Sequence, residues 1–553
     1  MTRNNLMKTL YYRDFCTTDD HGYNLMRAME ACRREGAGRL VLEPGVYDIH
    51  PERLTERFLC VSNHGQNGPK RIAILMEDMQ DFELDLNGAI LRAHGEITPI
   101  VVLRSSRVTI KNGALQNPKT MFMQARVAAH GDTYVDLFPE FGEEQFTIRR
   151  KELVVTHPYT AMQINLLTNI EFNGETGEME PGTSDRTMGS WNNMDVERLE
   201  NGHLRVHGVT RKPPIGNALI ITAPRRFGSG VFCEDCTDLL VENLTVNQCF
   251  GIGFIAQMCH NVHLDGFSTR REGGRLYTSN ADATHFVNCT GLVLVENGFF
   301  EGQLDDALNI HGIYARVTGR AGNEIFVQQI HHEARGIRIY HAGDRIRSVD
   351  PESLLPSVEK TIKEVEYINQ DTTRLVLCET AEDIAVGEDI ENLTRNADLI
   401  FRNNVVQNNR ARGMLIATPG KALIENCRFH TAGCSIKFEA DGAYWFESGA
   451  TTDVTIRGCT FDRCKHSNGW GDAVIVMAPR RKQVEGRYYH GTVRVVDNTF
   501  TMLVDSPIEF NNLREAIFTG NRITPCGDAP ALVRLHHAQN ATIQEDVRVE
   551  ETD

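Results

Sequence analysis

LVLVENGFF, residues 292–300, alternates β-forming residues, turns at Asn297 and resumes with two phenylalanines. The pattern recurs as LLVENLTV (239–246), VHLDGFS (262–268), LIFRNNVV (399–406), LIENCRF (423–429), VTIRGCTF (454–461), VRVVDNTF (493–500) and AIFTGNRI (516–523). The turn residue in successive copies is Asn243, Gly266, Asn297, Asn403, Asn426, Gly458, Asn498 and Asn521, and three intervals (243 to 266, 403 to 426, 498 to 521) are 23 residues. A fixed period of this length signals a solenoid. Asn and Gly suit it because the chain must turn sharply between strands, often through left-handed φ. Stacked asparagines also form hydrogen-bonded ladders. The spacing predicts an all-β fold, a right-handed parallel β-helix of about 23 residues per coil.

Working outward, an open β-helix end needs a cap. An amphipathic helix around Tyr23 to Arg34, followed by a strand and the turn Glu43-Pro44-Gly45, supplies one and resembles the capped start of pectinase-type β-helices. Earlier coils follow at 82–91 and 108–115. Two stretches break the repeat. Their strand-like runs and turn-rich separators, FTIRRKELVV in the first and TRLVLCE in the second, predict inserted small β subdomains. The expected organisation is cap and first coils 1–118, insertion 119–215, central coils 216–313, a barrel-like insertion 314–396 and final coils 397–553.

At 553 residues the chain exceeds the usual size of a single core, in keeping with a repeat architecture. Its net charge of -16 argues against nucleic acid and anionic membrane surfaces, which need clustered Lys and Arg. No run of 18 apolar residues would span a membrane. The start lacks an apolar leader, so a cytoplasmic location is expected if Met1 is the native start, and an extracellular one if a leader has been removed. Fourteen cysteines are too few for a disulfide scaffold of this length. Cys233 and Cys236 have no second pair at zinc spacing and read as core packing.

The densest polar segment is Ser268 to Gly312. Asp282 and Asp305 are 23 residues apart, one coil, so a regular solenoid stacks them on adjacent strands about 4.8 Å apart. Asp306 follows at once. Three clustered carboxylates repel when ionised, which raises at least one pKa and keeps that group protonated near neutrality. Glycoside hydrolysis needs this: one carboxylic acid protonates the leaving oxygen while a carboxylate activates water, with a spacing of roughly 6.5–9.5 Å for inversion and about 5 Å for retention. A lone Asp-Asp is ordinarily a solvated turn. The coil-period match, with Asn280, His285, Gln303, Asn309 and His311 beside it, favours the site.

The segments NADATHF (280–286) and EGQLDDALNIHG (301–312) resemble the central signature of glycoside hydrolase family 110, the α-1,3-galactosidases acting on blood-group-B-type and linear α-galactosyl glycans. The resemblance covers nearly the whole chain. It implies a β-helix with inserted barrels, an inverting mechanism, Asp305 as general acid, and Asp282 and Asp306 holding and deprotonating the attacking water. A more distant likeness to polygalacturonases rests on Asn280 to Asp282, Asp305 with Asp306, and His311 with Gly312.

Asn280, His285, Gln303, Asn309, His311, Arg270, Glu439 and Trp470 are the expected substrate-binding residues. Trp445 and Tyr277 are further aromatic candidates for a sugar face, and Asp472 for the groove wall. Acid–base chemistry on a neutral glycoside asks for no metal or cofactor. The expected partner is an α-galactosyl oligosaccharide or glycoconjugate, with a homo-oligomer open. Alternatives are a polygalacturonase-like hydrolase, for which Arg270, Arg271 and Arg275 leave room, a polysaccharide lyase, and a non-catalytic glycan-binding β-helix. The last has no use for a coil-matched acid triad.

Overall fold

The computed structural model describes residues 8–552 except 66, 158–161, 224 and 479–481. Its body is the expected parallel β-helix. Each full coil contributes to three stacked faces. One runs through Thr237–Val246, His260–Asp265, Thr290–Glu296, Ala397–Arg402 and Lys421–Glu425. A second uses short strands, Ser268–Thr269, Phe299–Glu301, Val405–Gln407 and Arg428–His430. The third holds Val231–Glu234, Phe254–Gln257, Thr284–Val287, Leu308–Ile313, Met414–Ala417 and Ile436–Phe438.

The corners behave as the sequence asks, with one correction. Asn243, Gly266, Asn297, Asn403, Asn426 and Gly458 all have φ between 49° and 68°. In the last two coils the left-handed residue is instead Asp497 (φ 57°) and Gly520 (φ 69°), one position before Asn498 and Asn521. Those two asparagines are buried and form a ladder. Asn521 Oδ1 accepts from the backbone N–H and from the side-chain amide of Asn498, each at 3.0 Å, and Gln544 Oε1 accepts from Asn521 N–H at 2.9 Å. Two adjacent corner positions thus both favour Asn, the outer for its conformation and the inner because its amide satisfies buried backbone groups. Sequence spacing does not separate them.

Inside the solenoid, Phe401, Phe429, Phe461 and Phe500 stack coil upon coil, the closest rings 4.7 Å apart. Ten of the fourteen cysteines, Cys233 and Cys236 among them, are buried, in keeping with core packing. The cap helix runs from His21 to Glu35, two residues earlier than the pattern suggests, because Asp20 accepts from Tyr23 N–H at 3.0 Å. Gly36 ends it at φ 60°. Its buried face, Leu25, Ala28, Met29 and Cys32, closes the first coil. Among the described residues, no helix is long and apolar enough to cross a membrane.

The insertions leave the helix on either side of the third face. The first, between Gln116 and Val231, builds a six-stranded antiparallel sheet (Phe122–His130, Tyr134–Phe141, Thr168–Phe172, Asp195–Arg198, Leu204–His207, Ala218–Thr222) and a three-stranded one. The second, Ala315 to Asn392, is a closed six-stranded barrel. Each has its own apolar core. They wall a recess whose floor is the third face.

Candidate active site

The acidic residues occupy the turns that feed the third face. Thr284 pairs with Leu308 and Leu308 with Met414, so Asp282, Asp306 and Arg412 lie level on three successive coils. The coil-equivalent of Asp282 is therefore Asp306, at 24 residues, not Asp305. This turn holds one residue more than the regular period. The extra residue points Asp306 along the stack and leaves Asp305 facing out into the recess.

Asp306 is fully buried. Arg412 grips it with Nη2 2.9 Å from Oδ2 and Nε 3.0 Å from Oδ1, and Arg412 N–H adds a bond of 3.2 Å to Oδ1. Asp306 N–H in turn donates to Asp282 Oδ1 at 3.2 Å. The other Asp282 oxygen lies 2.6 Å from His285 Nδ1. His285 Nε2 is 2.8 Å from His311 Nε2, and His311 Nδ1 donates to Gly312 O at 2.7 Å. Burial, reinforced by Asp305, pushes the Asp282 carboxyl up to about 8, against the pull of Arg226 and Arg412. Burial also drives Asp306 up while Arg412 opposes it. Burial and the neighbouring His311 hold His285 well below the usual imidazole range.

Asp305 is bracketed by guanidiniums: Arg410 at 3.3 Å, Arg226 at 3.7 Å and Arg412 at 3.8 Å. Each has an acidic partner besides Asp305. Arg410 forks onto Asp185 of the first insertion at 2.7 and 2.5 Å and lies over the Trp470 ring. Arg412 holds Asp306, and Arg226 sits 3.9 Å from Glu333. One oxygen from each of Asp282, Asp305 and Asp306 falls within 4.8 Å of the others, a spacing that would suit a cation. The arginine cations already offset this charge, and Arg412 engages both Asp306 oxygens.

Two contiguous chambers open over the triad. The inner one, about 260 Å³, is lined by Asn63, Asn309, Leu415, Glu439, Asp441 and Glu447 together with Asp282 and Arg412. The outer one, about 420 Å³, is walled by the insertions, with Thr168 and Asp185 on one side and His331 and Glu333 on the other. Arg226, Asp305 and Trp445 line both and mark the junction.

Of the residues expected to bind substrate, Asn309 and Glu439 face the inner chamber and Asn280 the outer. Asn309 is 4% exposed, and its Oδ1 has no hydrogen-bond partner among the described residues, leaving an acceptor for a ligand hydroxyl. Five lie elsewhere. His285 and His311 stand behind Asp282 and hold it. Gln303 is fully buried and accepts from Thr269. Arg270 lies over Phe299 on the outer wall, and Trp470 supports Arg410. Tyr277 packs edge-on against Phe122, and Asp472 lines neither chamber, whereas Trp445 does face the recess. Sequence reading misses Arg226, Arg410, Arg412, Asn63 and Glu447. Arg412 lies 106 residues beyond Asp306, one coil lengthened by the second insertion, so its register is hidden.

Three family models match in order along the chain: GLAA-B beta-barrel domain I at residues 123–219, GLAA-B beta-barrel domain II at 324–390, and a right-handed beta helix region at 390–547. The chain is 29% identical over 549 residues to Alpha-1,3-galactosidase B of Phocaeicola vulgatus, covering 92% of this chain and 88% of that one. It is 27% identical to Alpha-1,3-galactosidase A of Bacteroides fragilis over 95% and 88%. These similarities are consistent with glycoside hydrolase family 110. With Alpha-1,3-galactosidase B of Akkermansia muciniphila the chain shares 28% identity over 89% of its own length, spanning 62% of that longer protein. The two GLAA-B barrel models fall within the two insertions that wall the recess. An exopolygalacturonase of Yersinia enterocolitica superposes loosely (12% identity, 98% of this chain and 79% of that one, TM-score 0.39), too loosely to bear on the site.

Proposed function

We propose that this glycoside hydrolase removes terminal α-1,3-linked galactose from glycans as an exo-acting, inverting enzyme, with Asp305 as general acid and Asp282 as general base. The observation that carries the assignment is the position of Asp305 at the junction of the chambers. A galactosyl unit seated in the inner chamber, below the ~300–1,000 Å³ of drug-sized sites, places its glycosidic oxygen beside Asp305 and its aglycone between the insertions. Asp282 lines the inner chamber and is placed to take a proton from water.

The nearest carboxylate oxygens lie within 4.8 Å, closer than the usual inverting spacing. Inversion is supported instead by how the carboxylates are engaged. Asp306 is enclosed and clamped, and Asp282 has one oxygen on His285 and the other on a backbone N–H. Neither is free to bond to an anomeric carbon, whereas water held against Asp282 is free to attack. Charge on the recess favours a neutral sugar over a uronate, since each arginine there has its own carboxylate partner.

The test is galactose release from Galα1-3Gal and from the fucosylated B trisaccharide, with NMR of the first-formed anomer, for wild type and Asp305→Asn. β-Galactose from wild type alone supports the proposal, and the ratio between substrates reports branched against linear preference. α-Galactose as first product overturns inversion, and no release from either substrate overturns the galactosidase reading.

A further inference from the structure

The hydrogen bonds behind Asp282 leave few places for a proton. His311 Nδ1 donates to Gly312 O at 2.7 Å, so its Nε2 must accept from His285 whenever His311 is neutral. A neutral His285 then carries its hydrogen on Nε2 and presents a lone pair at Nδ1 to Asp282 Oδ2, 2.6 Å away. That short contact requires Asp282 to be the protonated partner. In the other arrangement Asp282 is ionised and accepts from His285 Nδ1–H. His285 Nε2 accepts from His311 Nε2–H, and His311 carries the positive charge. His285 is neutral in both, and no heavy atom moves between them.

Glu447 supplies the second half of the device. The antiparallel pairing of Gly312 with Ser448 and Ile313 with Glu447 brings its carboxylate beside His311, with Oε1 3.5 Å from Nε2. Its side chain is 6% exposed, accepts from Asn63 Nδ2 at 3.2 Å and opens on the inner chamber.

We propose that Asp282 and His311 share one proton through His285, with Glu447 as the counter-charge that draws the proton off Asp282. The inference rests on Asp282 acting as general base. Asp282 ionises when its proton passes to His285 Nδ1 and the Nε2 proton of His285 passes to His311. Asp282 then takes a proton from the attacking water while His311 gives its Nε2 proton to Glu447 and through it to the chamber, so the group of side chains holds the same number of protons before and after a turnover. The raised pKa of Asp282 and the depressed one of His285 agree with this chain. The other charged groups around it are Asp305, Asp306, Arg226, Arg412, His64, Glu439 and Asp441, and the test leaves all of these in place. His285, His311 and Glu447 are positioning residues.

Glu447→Gln removes the counter-charge, returns the proton to Asp282, and is expected to move the acidic limb of the kcat/KM–pH profile up by about one unit or more. Glu447→Asp should bring it back. A uniform drop at every pH, or a KM increase with the limb unmoved, would make Glu447 a structural or sugar-binding group and overturn the relay. A wild type that releases no galactose would instead overturn the proposed function. Independently of activity, ¹⁵N NMR of histidine-labelled protein should show His285 neutral in both wild type and Glu447→Gln, with its proton on Nδ1 in wild type and displaced toward Nε2 in the variant. A His285 with the same tautomer in both proteins, or doubly protonated, overturns the relay as well.

Discussion

Arg412 and Asp306 lie level on neighbouring coils, 106 residues apart in the chain, with Nη2 2.9 Å from Oδ2 and the acid entirely enclosed. Removing one partner of such a pair leaves an uncompensated buried charge, at a cost of about 3–5 kcal/mol. Arg412→Gln should lower the unfolding free energy by that much in urea titrations, and adding Asp306→Asn should restore part of it. Wild-type stability for the single variant would mean that the pair does not hold these coils together.

Asp305→Asn is expected to lower kcat about 10²–10⁴-fold on Galα1-3Gal, the usual worth of a general acid. On α-galactosyl fluoride, whose leaving group needs no proton, the loss should be far smaller. If Asp282→Asn is the variant that fluoride rescues, acid and base roles are exchanged.

Asp282 provides a pH test of stability. Its folded pKa of about 8 lies above the usual carboxylate value. The protonated form that the fold prefers is also the unfolded form only below pH ~4, so the group costs stability progressively as pH rises from there toward 8. Asn has no such dependence. The melting temperature of Asp282→Asn relative to wild type should therefore climb between pH 5 and pH 8, and parallel curves would show that the native state holds no extra proton at Asp282 or along the hydrogen-bonded chain behind it.

Asn309 lines the inner chamber, and its Oδ1 has no partner among the described residues. Asn309→Ala should raise KM for galactosides about tenfold, the worth of one hydrogen bond near 1–1.5 kcal/mol, with kcat little changed. An unaltered KM would place the sugar elsewhere.

In the ladder, Asn498 Nδ2 also donates to Ile456 O at 3.0 Å. Asn498→Ala would strand these groups and should cost about 1–3 kcal/mol by chemical denaturation. Asp497→Ala, at the exposed corner, should cost less. Equal losses would mean that the outer corner matters as much as the ladder.

The solenoid was legible because every coil repeats the same local requirements: alternation for strands that bury one face, and a small or amide residue at the corner. The cap helix was legible from its apolar spacing, and the three aspartates from their crowding. Gln303 and Arg270 misled because proximity in sequence within a turn does not say which side chains face inward. His285 and His311 belong to the site but stand behind its wall.

By itself the sequence determined the coil period, the two interruptions and the crowding of three aspartates, since these follow from local pattern and spacing. Only the tertiary structure decided that Asp282 stacks on Asp306 while Asp305 faces the recess. One additional residue in a turn sets that register, and a period measured along the chain does not locate it. Likewise Arg412 and Arg226 reach the acids across insertions, and Glu447 reaches His311 through antiparallel pairing, contacts between distant segments that exist only once the coils have closed.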